Sequence, residues 1–183
     1  MSGASIEQFR TGSAQGATPR LLSHSVQQTQ HFGALLGALL LAGDVVLLQG
    51  DLGAGKTALT QGIGTGMGVQ GVINSPTFTI LKEYTGRLPL YHFDLYRIDD
   101  PEEVYILGFE DYLSGDGVCI VEWAERGEFA DDGEEPWPAS YVRVRLSADI
   151  KGNRETRLID VEGVGPRGAA LQSAWLHAIA QES

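Results

Sequence analysis

Apolar positions along the chain follow two different periods, and the switches between them outline the fold. Residues 44–49 (DVVLLQ) and 118–123 (VCIVEW) are short, nearly continuous apolar runs rich in β-branched side chains. Such runs predict strands buried on both faces. Residues 141–146 (YVRVRL) and 156–161 alternate strictly, which predicts a second hairpin and an antiparallel edge. Two more strands, 77–84 and 90–98, are joined around Gly86-Arg87 as a first hairpin. Within the second of them, alternation puts Tyr91, Phe93 and Leu95 on one face and His92, Asp94 and Tyr96 on the other.

Helical signals lie between the strands. Ser25 is placed to cap a helix running to about residue 42, with Phe32, Leu35, Leu36 and Leu39 on its inner face and Gly43 closing it. Asp99-Asp100-Pro101-Glu102-Glu103 has the capping acid, early proline and first-turn carboxylates of a helix start, and that helix is expected to reach residue 113. Residues 127–139 read as an acidic loop, and 169–179 as a C-terminal helix. These elements predict one α/β domain with a mixed, largely central sheet flanked by helices. The expected divisions are a flexible tail at 1–20, the domain at 21–163 and a C-terminal helix and tail at 164–183.

The chemistry concentrates at residues 50–57, GDLGAGKT, between the first buried strand and a helix. This fits the phosphate-binding P-loop, G-x-x-x-x-G-K-[ST]. Gly50, Gly53 and Gly55 remove Cβ atoms that would block a phosphate, and the backbone N–H groups of Gly53 through Ala58, Ala54 included, point at the anion. Lys56 would reach the β- and γ-phosphates, and the Thr57 hydroxyl would ligate Mg²⁺. A plain glycine turn is the competing reading; the strand and helix on either side weigh against it. Gly62, Gly64, Gly66 and Gly68 also show G-x-G spacing. No strand precedes them, so they predict helix termination and a loop, not a dinucleotide fingerprint.

Two strand-end acids complete the candidate site. Glu122 follows an apolar run, where a P-loop enzyme keeps its metal-side carboxylate, and Asp94 ends the strand that contains His92. A structural cap or an ion pair with Arg97 or Arg126 is the alternative for either. Thr77, in SPTFT, is either a nucleotide-sensing switch or a strand residue after a proline turn. Trp123 either closes over the site or fills the core, core packing being the simpler assumption. His92 reads as a hydrogen-bonded strand histidine more readily than as an acid–base group. The sequence contains no His/Cys metal-cage spacing and no nucleophile elbow.

Composition narrows the class. The chain has 183 residues, 43% hydrophobic and 20% charged, with no apolar run long enough to cross a bilayer. The net charge of −11 and only three lysines argue against a self-contained grip on nucleic acid. Cys119 is the single cysteine, so no internal disulfide can form. With no export signal, a cytoplasmic location is expected.

Taken in order, GDLGAGKT, SPTFT at 75–79, YHFDLYR at 91–97, DPEE at 100–103 and VEWAE at 121–125 resemble the bacterial tRNA threonylcarbamoyladenosine biosynthesis ATPase family (TsaE, formerly YjeE). The resemblance spans about 25–161. One departure is Ala124, where many members carry proline. The resemblance implies a P-loop NTPase-like fold and a slow ATPase using ATP/ADP and Mg²⁺. It also implies a partnership with TsaD and TsaB, which hold the tRNA and transfer the threonylcarbamoyl group. Carried over by motif, Lys56 holds phosphates, Thr57 and Glu122 the metal, Thr77 is the switch, Asp94 assists catalysis and Trp123 lies near the nucleotide. Ser25 and the 152–154 turn, through Arg154, are further nucleotide contacts. A small-molecule P-loop kinase and a nucleotide-gated binding protein are the competing functional classes.

Overall fold

The strand Val45–Gln49 is buried along its whole length, and the sheet extends outward from it on both sides. In the computed structural model, the described residues are 6–9, 18–76, 78–99, 103, 108–127, 136–148 and 155–182. Their strands are β1 (Ile6–Phe9), β2 (Thr18–Ser23), β3 (Val45–Gln49), β4 (Leu81–Thr85), β5 (Pro89–Asp94), β6 (Val118–Glu122), β7 (Tyr141–Ala148) and β8 (Arg157–Val164). The helices are α1 (Val26–Leu39), α2 (Lys56–Gly66), α3 (Phe109–Leu113) and α4 (Gly165–Gln181). The sheet order is β1-β2-β8-β7-β3-β6-β5-β4. Strands β5, β6, β3 and β7 run parallel, β4 adds antiparallel at one side, and β8, β2 and β1 continue antiparallel at the other. This is a P-loop NTPase-like α/β fold with a mixed central sheet.

Both faces of the parallel strands are covered, which is why they read as unbroken apolar runs. On one face, Phe32 and Leu36 of α1, Leu59 and Ile63 of α2 and Leu171 and Trp175 of α4 close over Val46, Leu48, Ile120, Val144 and Val161. On the other, Phe93, Leu47 and Val121 pack with Phe109 and Trp137. Cys119 is buried, and loss of solvation pushes its thiol pKa up to about 12, so it is an inert core group. Trp175 donates its indole N–H to the Phe32 carbonyl at 2.8 Å. Helix α4 thus docks into the same core as the rest of the domain.

The expected cap at Ser25 is present: its hydroxyl accepts from Gln28 N at 3.1 Å. Helix α1 ends earlier than expected, at Leu39. Arg87 donates to the Gly37 and Leu40 carbonyls at 2.7 and 2.6 Å, supplying from outside the partners a helix end leaves open. Gly43, at φ +82°, turns the chain into β3 instead of closing the helix. Three other expectations change. The stretch 1–20, expected as a flexible tail, contains β1 and the start of β2, which add the outer strands of the antiparallel side. Gly108, at φ +66°, precedes α3, so Phe109–Leu113 is a separate helix and not the end of one begun at Asp99; residues 100–102 and 104–107 lie outside the described set. Gly62 and Gly64 sit inside α2 and do not terminate it; the helix ends at Gly66, and Gly68, at φ +75°, turns the chain away as expected.

The α2 glycines are explained by a close helix crossing. A Cβ on Gly62 would lie 2.0 Å from the Gln30 carbonyl oxygen, and one on Gly66 2.1 Å from that of Ala34. From the other side, a Cβ on Gly37 would lie 2.2 Å from the Ile63 carbonyl oxygen. The two helices meet backbone to backbone through these absent side chains. Helix propensity alone predicts that Gly37→Ala stabilises the protein by roughly 1 kcal/mol. Overpacking predicts a loss of about 1–3 kcal/mol. The contact is too close for relaxation, so urea unfolding of Gly37→Ala is expected to show a lower midpoint than wild type.

Candidate functional site

Strand β3 delivers the chain into the 50–57 loop, and the parallel strands β5 and β6 end beside it. Gly50 has φ +132°, and a Cβ there would lie 2.1 Å from the Leu146 carbonyl oxygen. Only glycine allows the loop to leave β3 so close to β7. Gly55, at φ +107°, turns the chain into α2, whose first residue is Lys56. The first N–H groups of α2 therefore face a cavity of about 310 Å³, the arrangement that makes a helix start an anion site.

Gly53, Ala54, Gly55, Lys56, Thr57 and Ala58 all line this cavity, together with Asp94, Glu122 and Trp123. Ser25 does not; its side chain serves as the α1 cap. Thr77 and Arg154 lie outside the described residues. Ser75 and Tyr96 join the lining. Both stood inside motifs quoted above without being singled out.

Asp94 and Glu122 are register partners on adjacent parallel strands, so both carboxylates reach the same end of the sheet. Each is nearly buried and hydrogen-bonded. Glu122 Oε2 accepts from the Thr57 hydroxyl at 3.0 Å, and its Oε1 lies 3.1 Å from the Thr60 hydroxyl and 2.9 Å from His92 Nε2. Asp94 accepts from the Ser75 hydroxyl through Oδ2, and from the Tyr96 backbone N–H at 3.0 Å through Oδ1. One acid thus faces the P-loop helix, and the other ties down the segment that leads to Thr77.

Lys56 is turned back on its own loop. Its Nζ donates to the Gly50 and Asp51 carbonyls at 2.5 and 2.9 Å and sits 3.7 Å from the centre of the Trp123 ring. Trp123 does not simply fill the core: it packs partly on the second apolar cluster and also walls the cavity. Its backbone holds φ +60°, an uncommon value for a bulky residue. The Tyr96 ring lies tilted beside it, with 4.9 Å between ring centroids. Ala124, in place of the family proline, opens a 3₁₀ turn over Ala124–Gly127.

Burial lowers the Lys56 pKa from its usual 10.5, against the opposing pull of Glu122, Glu125, Asp94 and Asp51. The influence of Glu125 was not foreseen from the sequence; only its place in VEWAE pointed to it. Arg157 was missed as well. It donates to the Gly53 carbonyl at 3.3 Å, and its side chain crosses above Gly55. The antiparallel pairing of β7 and β8 brings it there, which no local pattern reveals.

Among the described residues, no group of three or more His, Cys, Asp or Glu could cage a metal by itself. Thr57 and Glu122 offer two oxygen donors at the cavity wall. That set fits a small hard cation that keeps water and takes further oxygens from phosphate.

A family model for "Threonylcarbamoyl adenosine biosynthesis protein TsaE" matches residues 23–156. The chain belongs to the TsaE family. The TsaE protein of Nostoc sp. is 44% identical over 137 residues, covering 72% of this chain and 80% of the relative. That of Treponema pallidum is 44% identical over 136 residues, covering 74% and 96%. The crystal structure of YdiB from Bacillus subtilis superposes with a TM-score of 0.71 at 32% identity, covering 94% of this chain and 97% of that one.

The lowered Lys56 pKa has a consequence for stability. The folded state binds this proton less tightly than the unfolded chain, so the group's contribution to stability rises with pH between the folded pKa and 10.5. At neutral pH the buried charge costs stability. Lys56→Met is therefore expected to melt a few degrees above wild type. Thermal unfolding of the two proteins checks this.

Proposed function

We propose that this chain is a Mg²⁺-dependent P-loop ATPase acting in tRNA threonylcarbamoyladenosine biosynthesis. The observation that carries the reading is the convergence of Lys56, Thr57, Asp94 and Glu122 on one cavity at the start of α2. Family membership supports the pathway. In this reading, ATP places its phosphates along the N–H groups of residues 53–58. Lys56 leaves its loop carbonyls for the β- and γ-phosphates. Mg²⁺, held by Thr57 and Glu122, would neutralise charge on the phosphate oxygens. Asp94 orders the attacking water and, through Ser75, the segment that carries Thr77 as switch. Trp123 borders the nucleotide, and Ser25 and Arg154 are further contacts in this reading.

The chain couples ATP binding and hydrolysis to turnover of a complex with TsaD and TsaB. The tRNA is held by those partners; a net charge of −11 with three lysines supports that division. Among the described residues no helix is long and apolar enough to cross a membrane, and a cytoplasmic site of action is part of the proposal. A nucleotide-gated binding protein without turnover is the second reading. Lys56 held back by Gly50, Asp51 and Trp123 favours it, because nucleotide binding alone must then rearrange the site. A small-molecule kinase is less well supported: no arginine lines the cavity among the described residues.

The test is ATP hydrolysis by the chain alone and with TsaD and TsaB added. A low basal rate that rises with the partners is expected, and Lys56→Ala should reduce it by about 10²–10³-fold. Tight nucleotide binding with no turnover beside the partners would leave the gated binder. Phosphate transfer to an added metabolite ahead of water would move the kinase forward.

A further inference from the structure

Behind the cavity wall, Glu122 is held by a donor set that the proposed reaction does not use. Its Oε2 meets the Thr57 hydroxyl on the cavity side. Its Oε1 points inward, 2.9 Å from His92 Nε2 and 3.1 Å from the Thr60 hydroxyl. His92 and Thr60 are both 0% exposed. Neither lines the cavity, so neither touches a ligand there. The Thr60 hydroxyl also lies 3.1 Å from the Lys56 carbonyl, and its single hydrogen serves one acceptor at a time. A carboxylate is the stronger of the two acceptors. His92 supplies the second donor from a different element, β5, and its Nδ1 has no hydrogen-bond partner. The ring's only polar tie among the described residues is thus the one to Glu122.

Two donors on one oxygen fix the plane of a carboxylate. With Oε1 committed to the interior, Oε2 stays aimed at Thr57. We propose that His92, assisted by Thr60, is a positioning residue that orients the Glu122 carboxylate and thereby sets the affinity of the site for its divalent cation. This rests on the metal role given to Thr57 and Glu122 above. Outer partners of this kind fix a ligand's orientation, and their loss typically weakens metal binding by 10–100-fold. The sequence alone left His92 as an ordinary strand histidine. The structure shows which group it holds.

The experiment is calorimetric binding of ADP to the full chain across a Mg²⁺ titration, with EDTA as the metal-free reference. His92→Leu removes the donor, and His92→Gln keeps an amide N–H near the position of Nε2. For His92→Leu, the Mg²⁺ concentration at half-effect is expected to rise on the order of 10–100-fold, with ADP binding in EDTA unchanged. His92→Gln should recover most of that loss. A wild-type Mg²⁺ midpoint in His92→Leu overturns the proposal. Equal losses in the Leu and Gln variants overturn it too, as does a parallel loss of ADP binding in EDTA, because those are effects of packing. If a melting curve shows that His92→Leu does not fold, Thr60→Val decides, since it removes the second donor at nearly constant volume. A raised Mg²⁺ midpoint in Thr60→Val supports the proposal, and an unchanged one overturns it. ADP binding to wild type that ignores Mg²⁺ would sink the metal site itself, and this inference with it.

Discussion

The backbone contact between α1 and α2 sets the position of everything at the site. At Gly33, Gly37, Gly62 and Gly66 backbone meets backbone with no side chain between, so α2 has little freedom to slide or rotate on its neighbour. Its first turn carries the N–H groups of the phosphate loop, and its next residues carry Thr57 and Thr60 to Glu122. A shift of α2 by the width of one methyl group would therefore displace the loop, the lysine and the carboxylate partners together. The glycines cost helix propensity, and the close crossing they permit offsets that loss.

The proposed anion site lies inside a protein of strongly negative charge. Glu122, Asp94, Glu125 and Asp51 all act on Lys56, and the molecule as a whole carries −11. What the site offers an anion is local: N–H groups at a helix start, one ammonium group, and Arg157 resting on the loop. Such short-range dipoles are little affected by the distant field. Of these acids, Glu122 and Asp94 are bonded to protein donors.

Most of the architecture was legible in the sequence because burial on two faces and burial on one leave different periods. Strands β3 and β6 and the β7–β8 hairpin followed from that distinction. The 50–57 loop was legible because its glycines hold backbone angles, and at Gly50 a close approach, that a side chain would not tolerate. Properties that depend on distant partners were not. Gly62 looked like a breaker because its reason lies in α1. Trp123 looked like core because nothing local shows that it faces Lys56. Arg157 reaches the loop only through strand pairing, and the link from His92 to Glu122 needs two strands and a helix to meet. Ser25 shows the reverse case: its capping signal was read correctly, yet the same residue does not reach the cavity lining.

The resting posture of Lys56 bears on discrimination between anions. Its ammonium group already has two carbonyl acceptors and an aromatic face, so drawing it away forfeits three favourable contacts. A lone orthophosphate or sulfate would satisfy a few loop N–H groups but would recover little of that loss. A chain of linked phosphates, as in the proposed nucleotide, would span the loop and meet the displaced lysine at the same time. In the proposed function, the loop's own carbonyls would act as an internal competitor, a threshold set higher for simple anions than for a nucleotide polyphosphate.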